Sequence, residues 1–138
     1  MPRMPMPRIK EFTVTIPDKP GALGRCFAAL AEGGVNVLAF QSFVEEGESL
    51  ARMIVDKQEA AMKVLSGLRM IFEETEVAVA RVPNQPGELG RAASKLGENR
   101  INIDYSYCGT DPETNRGMLV FGVDNLTKAA TLLDELPG

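Results

Sequence analysis

The sequence predicts an α+β fold of two tandem ferredoxin-like βαββαβ modules, the second lacking its last strand. Three observations carry that expectation: a long internal repeat, the same succession of apolar periods in each copy, and a length that suits one ordinary domain or two very small ones. The chain has 138 residues, 44% of them apolar and 25% charged, an ordinary globular composition.

The repeat is direct. Pro17-Asp18-Lys19-Pro20-Gly21-Ala22-Leu23-Gly24-Arg25 reappears 66 residues later as Pro83-Asn84-Gln85-Pro86-Gly87-Glu88-Leu89-Gly90-Arg91. Leu30, Glu32 and Asn36 then match Leu96, Glu98 and Asn102, while Val35 and Val37 become Ile101 and Ile103. Val55-Asp56 matches Val123-Asp124 at an offset of 68, so the second copy carries two extra residues, expected in a hairpin loop. The boundaries that follow are an extended tail over 1–7, where three prolines disfavour helix, a first module over 8–74 and a second over 75–138.

Each element has its own signal. Phe12, Val14 and Ile16 alternate with Thr13 and Thr15 as a half-buried strand ended by Pro17, and Glu76–Val82 is its counterpart. In that second strand both alternating sets are apolar, so Val77 and Val79 are expected to be buried on the face opposite the helices. A helix follows Pro-Gly, with Leu23, Cys26, Phe27 and Leu30 spaced by three and four, mirrored by Leu89, Ala92, Ala93 and Leu96. Gly33-Gly34 stops the first helix, and Asn99, tolerant of the left-handed conformation, is expected to stop the second. Strands then begin at Val35 and Ile101. The turn formers Glu45–Glu48 and Gly109–Asn115 connect each to a further strand, Leu50–Val55 or Met118–Val123. Asp56 and Asp124 are expected to cap helices Lys57–Leu68 and Leu126–Leu136 through their side chains. A short strand at Ile71–Glu73 closes the first module, whereas Leu136-Pro137-Gly138 supplies no strand to the second.

Composition removes whole classes of function. Fifteen Lys and Arg against nineteen Asp and Glu give a net charge of −4, without the positive excess that holds a nucleic-acid backbone. There is no histidine, hence no Ser-His or Cys-His nucleophile pair and no histidine metal ligand. Cys26 and Cys108 lack metal-ligand spacing, are expected to be small buried hydrophobes, and suit a reducing cytoplasm. No apolar run approaches the roughly 18 residues of a membrane span, and the opening MPRMPMPRIK has no signal-type apolar core, so a cytoplasmic protein is expected.

The repeated strand-loop-helix element is the candidate site. A helix N-terminus presents free N–H groups and the positive end of the helix dipole, and Gly21 or Gly87 lets a ligand approach the backbone. Asn36 and Asn102, each both donor and acceptor, suit a zwitterion. The structural alternatives stand beside this: Pro-Gly is an ordinary helix start, the asparagines serve as turn residues, Leu23 and Leu89 are core, and Arg25 and Arg91 lie on a solvated helix face.

P-D-K-P-G-A-L-G-R followed by G-V-N-V, and P-N-Q-P-G-E-L-G-R followed by R-I-N-I-D-Y, resemble ACT-domain sequences over residues 9–136, and the doubled order is similar to stand-alone tandem ACT proteins. The resemblance implies a non-catalytic module without cofactor or metal, binding a small effector, usually an amino acid, at an interface between modules. It also implies a homodimer and a metabolic enzyme as partner. Carried over, it marks Asp18, Gly21, Ala22, Leu23 and Asn36 in the first copy and Asn84, Gly87, Glu88, Leu89 and Asn102 in the second. Asn84 replaces the acid Asp18, and Glu88 replaces Ala22, disfavouring a carboxylate there while offering a partner to an ammonium group. Competing readings are a ligand-free interaction scaffold and an acylphosphatase-like enzyme built on Arg25, Arg91, Asn36 and Asn102. An RNA-binding reading fails because Met118 and Val120 stand where stacking aromatics belong.

Overall fold

In a computed structural model, which describes residues 8–136, the apolar periods become ten elements. They are β1 (Arg8–Ile16), α1 (Ala22–Glu32), β2 (Val37–Glu45), β3 (Glu48–Val55), α2 (Gln58–Gly67), β4 (Phe72–Val82), α3 (Glu88–Glu98), β5 (Ile103–Asp111), β6 (Arg116–Val123) and α4 (Leu126–Asp134). Two compact units result: Lys10–Thr75, and the chain from Glu76 onward together with Arg8 and Ile9. The tail expected over residues 1–7 lies outside the described residues.

In the N-terminal unit β3 lies between β1 and β2, antiparallel to both, with Met53 opposite Phe12 on one side and Phe40 on the other. One sheet face carries Phe12, Val14, Ile16, Ala51, Met53 and Val55 against Cys26 and Leu30 of α1 and Ala61 and Leu65 of α2. Each of the larger apolar side chains here, the Val, Leu, Ile, Phe and Met residues, contributes about 1.5–3 kcal/mol when taken out of water, the term that makes a small unit fold. After α2 the chain returns beside β1, where Thr15 N–H donates to the Ile71 carbonyl at 2.9 Å and Phe72 meets Phe12 edge-on at 5.8 Å. The β2–β3 turn has positive φ at both Glu46 and Gly47, the geometry that follows strand twist in a two-residue hairpin.

In the C-terminal unit β6 lies between β4 and β5, with Val120 opposite both Val79 and Tyr107. Ala78, Ala80, Val82, Leu119 and Phe121 face Ala92 and Leu96 of α3 and Ala129 and Leu133 of α4. On the other face Val77 and Val79 are each 1% exposed and Met118 and Val120 are also buried, as the doubly apolar strand predicted. Tyr105 and Tyr107 share that face and stack at 6.4 Å, and Tyr105 lies across Gly122, where no side chain intervenes. Arg8 Nη2 reaches Glu76 Oε1 at 3.2 Å in the same unit.

Several local expectations are corrected. The strands expected at Ile71–Glu73 and Glu76–Val82 are one, β4, which begins at Phe72, because nothing between them breaks an extended chain. Strands begin two residues after Val35 and Ile101, since these N–H groups close the preceding helices on Leu30 and Leu96 carbonyls at 2.9 and 3.0 Å. Asn99 is not left-handed: its φ is −101°, its Nδ2 donates to the Lys95 carbonyl, and Arg100 takes φ 61°. Nor do Asp56 and Asp124 cap helices. Their carboxylates accept the Asn36 and Asn102 N–H groups at 2.8 and 3.1 Å, while α4 is capped by Asn125, whose side chain accepts Lys128 N–H. No strand follows α4 among the described residues.

Candidate functional site

The two loops fold alike because their sequences impose the same turn. Lys19 N–H donates to the Pro17 carbonyl and Gln85 N–H to that of Pro83, both at 2.9 Å. Gly21 and Gly87 then occupy the N-cap position with φ of 87° and 92°, left-handed values that a β-carbon resists. Neither helix start has a side-chain cap. The Ala22 and Glu88 N–H groups are turned onto the Lys19 and Gln85 carbonyls, and the first full helical bonds run from Arg25 to Gly21 and from Arg91 to Gly87. The donors left at the helix starts are therefore those of Leu23 and Gly24, and of Leu89 and Gly90. Gly24 and Gly90 were not marked from sequence, because which first-turn donors stay open depends on how the loop closes.

In the C-terminal unit this helix start borders a cleft of about 360 Å³. The end of β4, the loop and α3 contribute Val82, Pro83, Asn84, Gln85, Glu88 and Leu89, and the facing β5–β6 hairpin contributes Cys108, Gly109, Thr110, Asn115, Arg116, Gly117 and Leu119. Register assigns the hairpin residues to faces. Cys108 pairs with core-facing Leu119 and belongs to the helix side, whereas Arg116 pairs with Asp111 and belongs to the other. Two sequence expectations change here: Leu89 is 61% exposed rather than core, and Cys108 is exposed rather than buried, both at the open end of the helix layer.

Glu88 is buried, and its Oε1 accepts from Arg91 Nη2. The carboxylate stands in the first turn of α3, where the helix dipole favours it. The hairpin wall is fixed by Asp111, which accepts Thr114 Oγ1 at 2.6 Å and Glu113 N–H at 3.3 Å while its carbonyl accepts Asn115 N–H at 2.7 Å. Arg81 Nε lies 2.9 Å from Asp111 Oδ2, an ion pair in which the N–H points off the oxygen.

Of the residues marked from sequence, the fold brings together Asn84, Gly87, Glu88 and Leu89 on one loop and helix start, and Asp18, Gly21, Ala22 and Leu23 on the other. Asp18 is exposed, Ala22 buried and Leu23 packed on the core. Asn36 and Asn102 stand at the far ends of α1 and α3, 11-residue helices about 16 Å long, so within a unit they do not meet their loops. Their main chains pair with Asp56 and Asp124, whose N–H groups return to the Asn36 and Asn102 carbonyls, and Asn102 Nδ2 donates to Asp104. The hairpin wall was missed from sequence, although its two-residue lengthening was visible.

The family described as ACT domain pair matches residues 7–136. Among solved structures, the chain is similar to protein BT0572 from Bacteroides thetaiotaomicron, with 24% identity and a TM-score of 0.80 over 94% of this chain and 88% of that one. It is also similar to the regulatory subunit of aspartate kinase from Thermus thermophilus, with 18% identity and a TM-score of 0.60 over 93% and 91% of the two chains. The corresponding subunit from Thermus flavus gives 16% and 0.57 over 94% and 92%. At these identities the likeness is one of fold. No curated protein sequence matches the chain.

Proposed function

The chain belongs to the ACT domain-pair family, and from that premise we propose that it is a non-catalytic regulatory module that binds a small amino acid and passes its occupancy to a metabolic enzyme. One observation carries the reading: a helix start with open N–H donors and no side-chain cap borders a cleft of amino-acid size, lined by Asn84 and Glu88. The donors suit a carboxylate, and the side chains suit an ammonium group. In this reading the protein works in the cytoplasm as a homodimer, with a module of the second copy closing the site and Asn36 or Asn102 reaching it from there. A ligand of about ten heavy atoms would bind with roughly −8 to −4 kcal/mol, within the per-atom ceiling. Coupling of about 1–3 kcal/mol to the partner suffices for regulation.

A thermal-shift screen of the purified chain against the twenty amino acids at about 100 times an expected Kd should stabilise it by about 2.7 kcal/mol for one or a few related compounds. The shift should vanish in Gly87→Val. A flat screen would favour the scaffold reading, for which exposed Phe40 and Val44 on one face of β2 offer an apolar contact.

A further inference from the structure

The two loops have the same backbone but not the same cover. Arg25 and Arg91 are matching residues at position four of their helices. In the N-terminal unit the Arg25 guanidinium folds over the loop glycine: a β-carbon on Gly21 would lie 3.1 Å from Arg25 Nη1. In the C-terminal unit Arg91 is drawn to Glu88, and a β-carbon on Gly87 would have no atom beyond its chain neighbours within 4 Å. Among the differences between the two loops, Glu88 supplies a carboxylate that pairs with Arg91, whereas Ala22 has none with which to hold Arg25 aside.

We infer that the pair is unequal by construction: Glu88 holds Arg91 clear of Gly87 and keeps the C-terminal loop open to ligand, whereas Arg25 covers Gly21 and closes the N-terminal loop. This rests on the reading of the loops as effector sites and adds which of them is filled. A guanidinium above the glycine removes the approach to the backbone that the absent β-carbon leaves. It also places a cation at the positive end of the helix, an arrangement that nothing in Ala22 offsets. Glu88 does the reverse, since its charge suits the first turn and its ion pair with Arg91 leaves the cleft beside Asn84 and Leu89 unobstructed. Glu88 is on this account a positioning residue for the open state of the loop, and its second carboxylate oxygen stays available to a ligand ammonium group.

The test is calorimetric titration of the full chain with the amino acid giving the largest thermal shift, on wild type, Arg25→Ala, Glu88→Ala and Glu88→Ala/Arg91→Ala. Wild type should show a single site per chain, and Arg25→Ala should add a second. Glu88→Ala should weaken binding by about tenfold or more as Arg91 falls over Gly87. The double variant should recover the part of that loss due to Arg91 lying over Gly87, whereas a role of Glu88 that is solely structural or solely direct contact with the ligand would leave the double variant no better than Glu88→Ala. An Arg25→Ala chain with an unchanged or lost site, or a double variant no better than Glu88→Ala, overturns the inference while leaving the loop as a binding site. Absence of binding to any amino acid in both wild type and Arg25→Ala overturns the loop reading itself.

Discussion

Replacing Asp111 should loosen the wall of the cleft by an amount that the structure sets. Its side chain is 3% exposed and faces Arg81, whose side chain is 22% exposed. Removing one member of a fully buried ion pair costs about 3–5 kcal/mol, because the other charge is stranded. Water reaches part of Arg81, and the off-line contact to Nε is weaker than an aligned bond, so the ion-pair part belongs at or below the lower end of that range. Loss of the Thr114 and Glu113 bonds to a charged acceptor restores some of the difference. The total expected for Asp111→Ala is about 3 kcal/mol. Asp111→Asn, which keeps acceptors for the turn and removes only the charge, should lose about 2 kcal/mol. Urea unfolding followed by circular dichroism measures both, with each transition fitted separately where the two units unfold in separate steps. A double cycle with Arg81→Met isolates the pair. A loss below about 1 kcal/mol for Asp111→Ala, or effects that add within about 0.5 kcal/mol in the cycle, would refute the assignment of the hairpin's anchorage to this pair.

Three further outcomes follow from packing. Burial pushes the Cys26 thiol above its usual value of 9.0, so the folded chain keeps a proton that the unfolded chain has lost, and this group's contribution to stability should fall as pH rises above about 9; Cys26→Ala should make the alkaline decline shallower by that contribution. Exposed Cys108 should react with a thiol reagent in the native protein and Cys26 only on unfolding, and equal native rates would contradict the core described. In Gly122→Ala the new methyl group would stand 2.2 Å from Tyr105 Cε1, so the ring must move. A loss of about 1–3 kcal/mol and a changed near-ultraviolet tyrosine signal are expected, and an unaltered spectrum would contradict the placement of the Tyr105 ring across Gly122.

The doubled P-x-x-P-G-x-L-G-R motif and its flanking periods were enough to determine, apart from the fusion of two expected strands into β4, the order of strands and helices, the loop before each first helix and the burial of Val77 and Val79. These are consequences of local chemistry: strand alternation, helical spacing, and a turn that needs glycine. Family membership was legible for the same reason, since it resides in a repeated local pattern. Only the tertiary structure decided the rest, because it depends on residues far apart in sequence. Asp56 and Asp124 could not be told from helix caps until Asn36 and Asn102 stood beside them. Leu89 and Cys108 carry apolar or small side chains, yet they sit at the open end of the helix layer, where the hairpin makes a cleft. Glu88 was visible as a departure from Ala22, but its consequence, an arginine held aside from one loop and left lying over the other, exists only once side chains occupy space.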